Sequence, residues 1–251
     1  MSNPDEQNQR LVEKYTEIAR LVGGLAHEIK NPLSTIRLNM QLLAEEFAEA
    51  ATPRERRALK KIEVVQRECQ RLQDLLDDFL RFARVRRLNV QPNDLNAQVR
   101  QVLDFFRPKA EQAGIEVVDY LAATLPTVLL DHEAFHGALL NLVINAEQAM
   151  PQGGQLVVRT YRTADGVALD LIDNGVGMDE KTRSRVFEAF FSTKPAGSGL
   201  GLSTTRRIIE AHGGHIDLQS APGHGTQFTI KLPAPAQLPG DGFNHENRRE
   251  N

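Results

Sequence analysis

The sequence predicts two architectures in series: an all-α helical hairpin that pairs into a dimeric four-helix bundle, then an α+β sandwich. Two apolar seams with heptad spacing, separated by a short polar turn, predict the first. A mixture of helical and alternating periods over residues 88–233 predicts the second. Composition sets the outer limits. The chain has 251 residues with 30 basic and 33 acidic side chains, a net charge of −3, so no electrostatic footprint for nucleic acid is expected. No run of about 18 apolar residues occurs, so direct insertion into a membrane is not expected. A single cysteine, Cys69, rules out an intrachain disulfide and makes the cytoplasm the expected compartment.

Residues 1–10 form a polar lead-in without the apolar stretch of a signal peptide. From Leu11, apolar residues recur at Tyr15, Ile18, Val22, Leu25, Ile29, Ile36, Met40, Leu43 and Phe47, mostly at steps of three and four. Thr52-Pro53 marks a turn. The second seam runs through Leu59, Ile62, Val65, Cys69, Leu72, Leu76, Phe79 and Ala83. Two helices cannot bury seams of this length between them, and a second copy of the hairpin completes the core. Cys69 falls on the seam and reads as a small buried hydrophobe. The basic stretch Arg81, Arg84, Arg86 and Arg87 reads as a solvated helix end. These features define an expected dimerisation unit at 11–87.

Gln91-Pro92-Asn93-Asp94 breaks the pattern and marks the boundary to a second unit, 88–233. Within it, 95–113, 135–150 and 203–212 read as helices. Segments 116–120, 127–130, 155–162, 166–173, 216–220 and 226–232 read as strands, with turns at Asp165-Gly166 and Pro222-Gly223. The histidines flanking Gly213-Gly214, His212 and His215, read as loop residues. The tail, 234–251, is rich in Pro, Gly, Asn and charge and is expected to be disordered.

Four pieces carry chemistry. His27-Glu28-Ile29-Lys30-Asn31-Pro32-Leu33 lies in the first helical pattern. His27 follows the seam residue Leu25 by two positions, about 200° around a helix, so it points away from the seam. Its imidazole is a nucleophile, Glu28 can polarise the second ring nitrogen, and Asn31 lies one turn further on the same face. Asn141 and Asn145 share a helix face, and an amide oxygen suits a hard ion such as Mg²⁺ that keeps several waters. Asp173-Asn174-Gly175-Val176-Gly177-Met178 ends an apolar strand in a carboxylate beside backbone that a ligand can approach closely. Gly197-Ser198-Gly199-Leu200-Gly201 opens a helix and bares N–H groups to a phosphate.

In this order the pieces resemble those of bacterial two-component sensor histidine kinases. The His27 segment resembles their phospho-acceptor box and 141–150 their N box. Residues 173–178 resemble the G1 box, 187–194 (Phe-Glu-Ala-Phe-Phe-Ser-Thr-Lys) the F box and 197–202 the G2 box. The resemblance spans about residues 10–233. It implies a phosphotransfer hairpin followed by the ATP-binding sandwich shared with gyrase, mismatch-repair and heat-shock chaperone ATPases. It further implies that Asp173 binds the adenine amino group with Gly175 and Gly177 beside the base. Asn145 would ligate Mg²⁺, with Asn141 near the phosphates. Gly197, Gly199, Leu200 and Gly201 would form a phosphate lid, and Lys194 would contact the γ-phosphate. Many relatives carry a basic residue three positions after the metal asparagine, where this chain has Gln148. The short lid, 192–199, is closest to the nitrogen-regulation type. The implied function is ATP-dependent autophosphorylation of His27 and transfer to an aspartate of a response-regulator receiver domain. Asn31 would orient water for the reverse dephosphorylation.

Three other functions compete. His132-Glu133-Ala134-Phe135-His136 is a literal zinc-protease pattern, with Glu147 available as a downstream ligand; zinc content separates that reading. A non-catalytic kinase-like adaptor would not need His27, Glu28, Asn145, Asp173 and three lid glycines intact. A chaperone-type ATPase would not need the hairpin with its off-seam histidine.

Overall fold

The computed structural model describes residues 28–47, 52–84, 88–194 and 197–234. The expected acceptor His27, the lead-in and first seam residues before 28, Arg86 and Arg87, and the tail from 235 lie outside the described residues.

Helix α1 is continuous over 28–46. Pro32 removes one backbone donor without interrupting it. Helix α2 spans Pro53–Arg84. Its start is a reciprocal cap: Thr52 Oγ1 accepts from the Glu55 N–H at 3.2 Å, and Glu55 Oε2 accepts from the Thr52 N–H at 2.9 Å. Pro53 takes the first helical position, where a missing N–H costs nothing. Lys30 pairs with Asp77 at 2.5 Å and Gln73 Nε2 donates to Ser34 Oγ at 3.1 Å, so the two helices run antiparallel. Ile62 and Cys69 are buried. Ile29, Ile36, Val65 and Leu72 stay exposed in the single chain. Part of each seam is therefore left open, which is consistent with a hairpin that packs against a second copy. Among the described residues no helix is long and apolar enough to cross a membrane.

The linker is more ordered than its composition suggested. Gln91–Asn93 forms strand β1, antiparallel to β3 (Val128–Leu130). Asp94 then caps α3 (Leu95–Gln112), accepting from the Asn96 N–H at 2.8 Å. A three-residue strand containing proline has no periodicity to detect; only its partner makes it a strand. Strand β2 (Ile115–Leu121) follows, and α4 (His132–Ala149) starts three residues before the expected point, at the cap Asp131. Strands β4 (Gly154–Arg162) and β5 (Gly166–Asp173), helix α5 (Glu180–Arg183), helix α6 (Gly201–Ala211) and strands β6 (His215–Ser220) and β7 (Thr226–Pro233) complete the chain.

The large sheet has the order β2-β4-β5-β7-β6, with β2 parallel to β4 and all other pairs antiparallel. Alternate residues of its strands, such as Leu156, Val158, Leu169 and Ile230, join Phe106, Phe135 and Leu142 of the helices in one core. His212 is a buried helix end, not a loop residue. Its Nε2 accepts from the Asp131 N–H at 2.8 Å while Nδ1 donates to Ile208 O at 2.7 Å, tying the end of α6 to the start of α4. His215 opens β6 and pairs with Asp217. In the His-Glu-x-x-His segment, His132 Nδ1 meets Gln98 Nε2 at 2.7 Å, and Glu147 is held by Lys109 at 2.7 Å. Among the described residues no three His, Cys, Asp or Glu side chains cluster closely enough to hold a metal ion, there or elsewhere.

On the opposite sheet face, the register aligns Arg159, Asp170 and Thr229 across three strands. Asp170 has no exposed side-chain surface and bonds both neighbours at 2.6 Å. Arg159→Leu strands that carboxylate with one hydroxyl. It should lower unfolding stability by about 2 kcal/mol in urea titration, and adding Asp170→Val should restore most of it. Equal loss in single and double variants would contradict this account.

Candidate functional site: a cleft between α4, the end of β5 and the lid

A cleft of ≈ 480 Å³ opens where β5 ends, roofed by residues 191–194 and 197–199 and floored by α4. Asp173 is nearly buried at its edge. Its Oδ1 accepts from the N–H groups of Gly175 at 2.9 Å and Thr226 at 3.2 Å. Oδ2 has no hydrogen bond among the described residues. Burial pushes the Asp173 carboxyl above the usual range, partly offset by the two N–H groups. After Asp173 the chain turns tightly against its neighbours. Gly177 has φ +65°, and a Cβ there would lie 2.0 Å from Ala221 O, so no other residue fits.

On α4, Asn145 Nδ2 donates to Asn141 O at 2.9 Å, which directs Oδ1 outward. Asn141 Nδ2 donates to Gly201 O at 3.3 Å and so links α4 to the first residue of α6. Lys194 reaches down from the lid: its Nζ donates to Asn145 Oδ1 at 3.0 Å and to Gln148 Oε1. Burial lowers the Lys194 pKa.

The lid is braced by two residues with positive φ, Phe190 and Gly199; the Phe190 N–H donates to Gly199 O at 2.9 Å. A Cβ on Gly199 would lie 2.4 Å from the Phe190 carbonyl carbon. No side chain caps α6, so its first N–H groups remain available to a ligand. Ser198 Oγ donates to Asp78 Oδ2 of α2 at 2.6 Å, joining the lid to the hairpin.

Of the residues singled out from sequence, Asn141, Asn145, Asp173, Gly177, Lys194, Gly197, Gly199 and Gly201 line this one cleft. Two do not. Gly175 lies behind it, where a Cβ would meet Ala149 O at 2.5 Å. Leu200 is buried and lines a separate apolar gap of ≈ 390 Å³ with Ile29, Leu33, Leu76, Phe79 and Phe190. A leucine in a glycine-rich run reads as lid, but its side chain finds the hairpin. Glu28 and Asn31 are exposed on α1 and outside the cleft. Thr226 and Asp78 were not found from sequence. The first reaches Asp173 through sheet register and the second through docking of the hairpin, and neither leaves a local signal.

Comparisons with known proteins match both parts of the chain. Residues 130–236 match the histidine kinase-, DNA gyrase B- and HSP90-like ATPases, and residues 17–88 match the His Kinase A (phospho-acceptor) domain. The chain carries the phospho-acceptor and ATPase domains of the histidine kinase family. Among relatives of this kinase, the signal transduction histidine-protein kinase AtoS of Escherichia coli (strain K12) is 34% identical over 222 residues, 88% of this chain and 36% of AtoS. The sensor histidine kinase ZraS of Klebsiella oxytoca is 36% identical over 226 residues, covering 90% of this chain and 48% of ZraS. The chain thus spans less than half the length of either relative. The crystal structure of full-length ShkA in complex with AMPPNP superposes on 87% of this chain and 47% of its own, with TM-score 0.69 and 29% identity. The catalytic domain of histidine kinase ThkA covers 58% of this chain, with TM-score 0.54 and 28% identity.

Proposed function

We propose that this histidine kinase chain binds ATP with Mg²⁺, phosphorylates its own His27, and passes the phosphoryl group to a receiver-domain aspartate. It would act as a homodimer through 11–87, with 88–233 as the ATP-binding unit. The carrying observation is the chemistry of the cleft. It presents a carboxylate oxygen without a partner among the described residues, an amide oxygen held outward and a lysine, around a volume that suits a nucleotide. The resident groups fit the cofactor. Asp173 Oδ2 is placed to accept from an exocyclic amino group. Asn145 Oδ1 is the hard oxygen donor Mg²⁺ takes, and the close packing at Gly197 and Gly199 keeps the lid backbone near a phosphate. ATP would supply the phosphoryl group, and Mg²⁺ held by Asn145 would supply charge neutralisation there.

In this reading Asp173 selects the base, Gly177 lines it, and Asn141, Gly201 and Lys194 hold the phosphate end. The neutral His27 imidazole attacks the γ-phosphorus. An N–P bond forms, the P–O bond to ADP breaks, and Glu28 takes the proton from the other ring nitrogen. The labile N–P bond then favours transfer to a carboxylate. Asn31, exposed on α1, is free to hold water against a docked regulator's aspartyl-phosphate.

The test is transfer of label from the phosphorylated protein to a panel of purified receiver domains, repeated with Asn31→Ala. Label should leave the kinase for at least one receiver. Asn31→Ala should keep autophosphorylation within a few-fold and slow regulator dephosphorylation about tenfold or more. No transfer to any receiver would refute the proposal. A parallel fall in both activities would make Asn31 structural.

A further inference from the structure

Lys194 is the one lysine or arginine lining the cleft among the described residues. Both hydrogen bonds of its ammonium go to amide oxygens of α4, Asn145 Oδ1 at 3.0 Å and Gln148 Oε1. None goes to a carboxylate. Asp78 bonds the Ser198 hydroxyl, Asp173 bonds two backbone N–H groups, and Glu147 pairs with Lys109. A monovalent cation whose hydrogen bonds go to carbonyl-type oxygens, with the Glu147 charge adding attraction, is bonded as a hard metal ion would be. The Asn145 amide is also fixed, because Nδ2 donates to Asn141 O, so Oδ1 is the atom presented to any cation. That oxygen cannot serve both cations. A magnesium ion takes it at about 2.1 Å, and an ammonium within about 3 Å of the same oxygen would face a double positive charge at close range.

We propose that Lys194 is a placeholder cation, whose ammonium holds the metal-binding oxygen of Asn145 until magnesium takes it and then moves onto the nucleotide phosphates. The proposal rests on Asn145 as the magnesium ligand. The lysine's backbone is tied into the lid. Its N–H donates to Ser192 Oγ at 3.1 Å, and its carbonyl accepts from the Ser192 hydroxyl at 3.2 Å and the Gly197 N–H at 3.2 Å. The backbone is thus held while the flexible side chain can carry the ammonium from Asn145 to the phosphates. The arrangement also supplies a resident cation when ATP arrives without metal, which blunts the need for magnesium in binding while leaving it for chemistry.

Calorimetric titration of ATP into the full chain, in excess Mg²⁺ and again in EDTA, separates these roles. The quantity read is the affinity lost on removing the metal. In the wild type that loss should be modest. In Lys194→Met it should grow about tenfold or more, the scale of a lost charge-assisted hydrogen bond, while affinity in Mg²⁺, where the metal shares the phosphate charge, falls by only about a few-fold. Lys194→Arg, which keeps the charge, should stay near the wild type. Thermal melting of each variant establishes that it is folded. Equal weakening of Lys194→Met with and without metal would mean a plain phosphate contact and overturn the placeholder role. Unchanged affinity in both buffers would overturn it too. Asn145→Ala tests the underlying assignment separately, because losing the ligand should abolish the benefit of Mg²⁺. A full Mg²⁺ benefit in that variant would remove Asn145 as ligand, whatever Lys194 does.

Discussion

His27→Gln should leave the protein without phosphohistidine. With γ-labelled ATP, the wild type should acquire label that is stable in base and lost in acid, the signature of an N–P bond, and the variant should remain at background. Glutamine keeps the size and polarity of the side chain but offers no ring nitrogen of comparable nucleophilicity, so the bond-forming step has no entry. Among the described residues, none that lines the cleft comes from 28–46, the segment next to the acceptor in sequence, so ATP affinity should be unchanged. That pairing separates lost chemistry from lost folding. Acid-labile label retained by the variant would place the acceptor elsewhere and remove the proposed function as stated.

Asp173→Asn should weaken ATP about 10- to 100-fold and relax the choice of base. Its Oδ1 can go on accepting from Gly175 and Thr226, so the turn should survive. The other terminus changes from an acceptor to an NH₂ donor. Facing an adenine amino group, donor meets donor, at a cost of about 1–3 kcal/mol. Facing the carbonyl of a guanine or hypoxanthine base, the same donor is matched. ATP should lose ground against GTP or ITP in competition titrations, and an unaltered preference would exclude Asp173 from base recognition.

The raised Asp173 pKa adds a pH signature. From the ordinary carboxylate range up to the raised folded value, the folded protein binds more protons at this site than the unfolded chain. This group's contribution to stability therefore falls as pH rises through that window. ATP affinity should move the other way, because protonation removes an acceptor. Asp173→Asn should flatten both trends.

The chemistry of the cleft was legible in sequence to the extent that it depended on residue type at fixed spacing. Asn141 and Asn145 one turn apart, Asp173 at the end of an apolar run and the glycines around 197–201 each carry their reason locally, and the structure brings them into one cleft. Leu200 shows the limit. Its place among the glycines suggested the lid, and its side chain instead packs toward Ile29, Leu76 and Phe79, over a hundred positions away in the chain. Lys194 is a second case: sequence placed it near phosphates, but its hold on the metal-binding amide needed the lid folded over α4.

Periodicity by itself determined the two-part architecture, the heptad seams with Cys69 inside them, and nearly every helix and strand, because burial of one face is written at regular intervals. It could not determine which strands pair. The parallel β2–β4 neighbours, the β1–β3 pair across the linker and the alignment of Arg159, Asp170 and Thr229 depend on partners distant in sequence. The same holds for His212 at the Asp131 cap, Thr226 at Asp173 and Asp78 against Ser198. Each is a polar group whose hydrogen-bond partner is supplied by another element. Local composition carries no record of a bond that forms only after the core has packed.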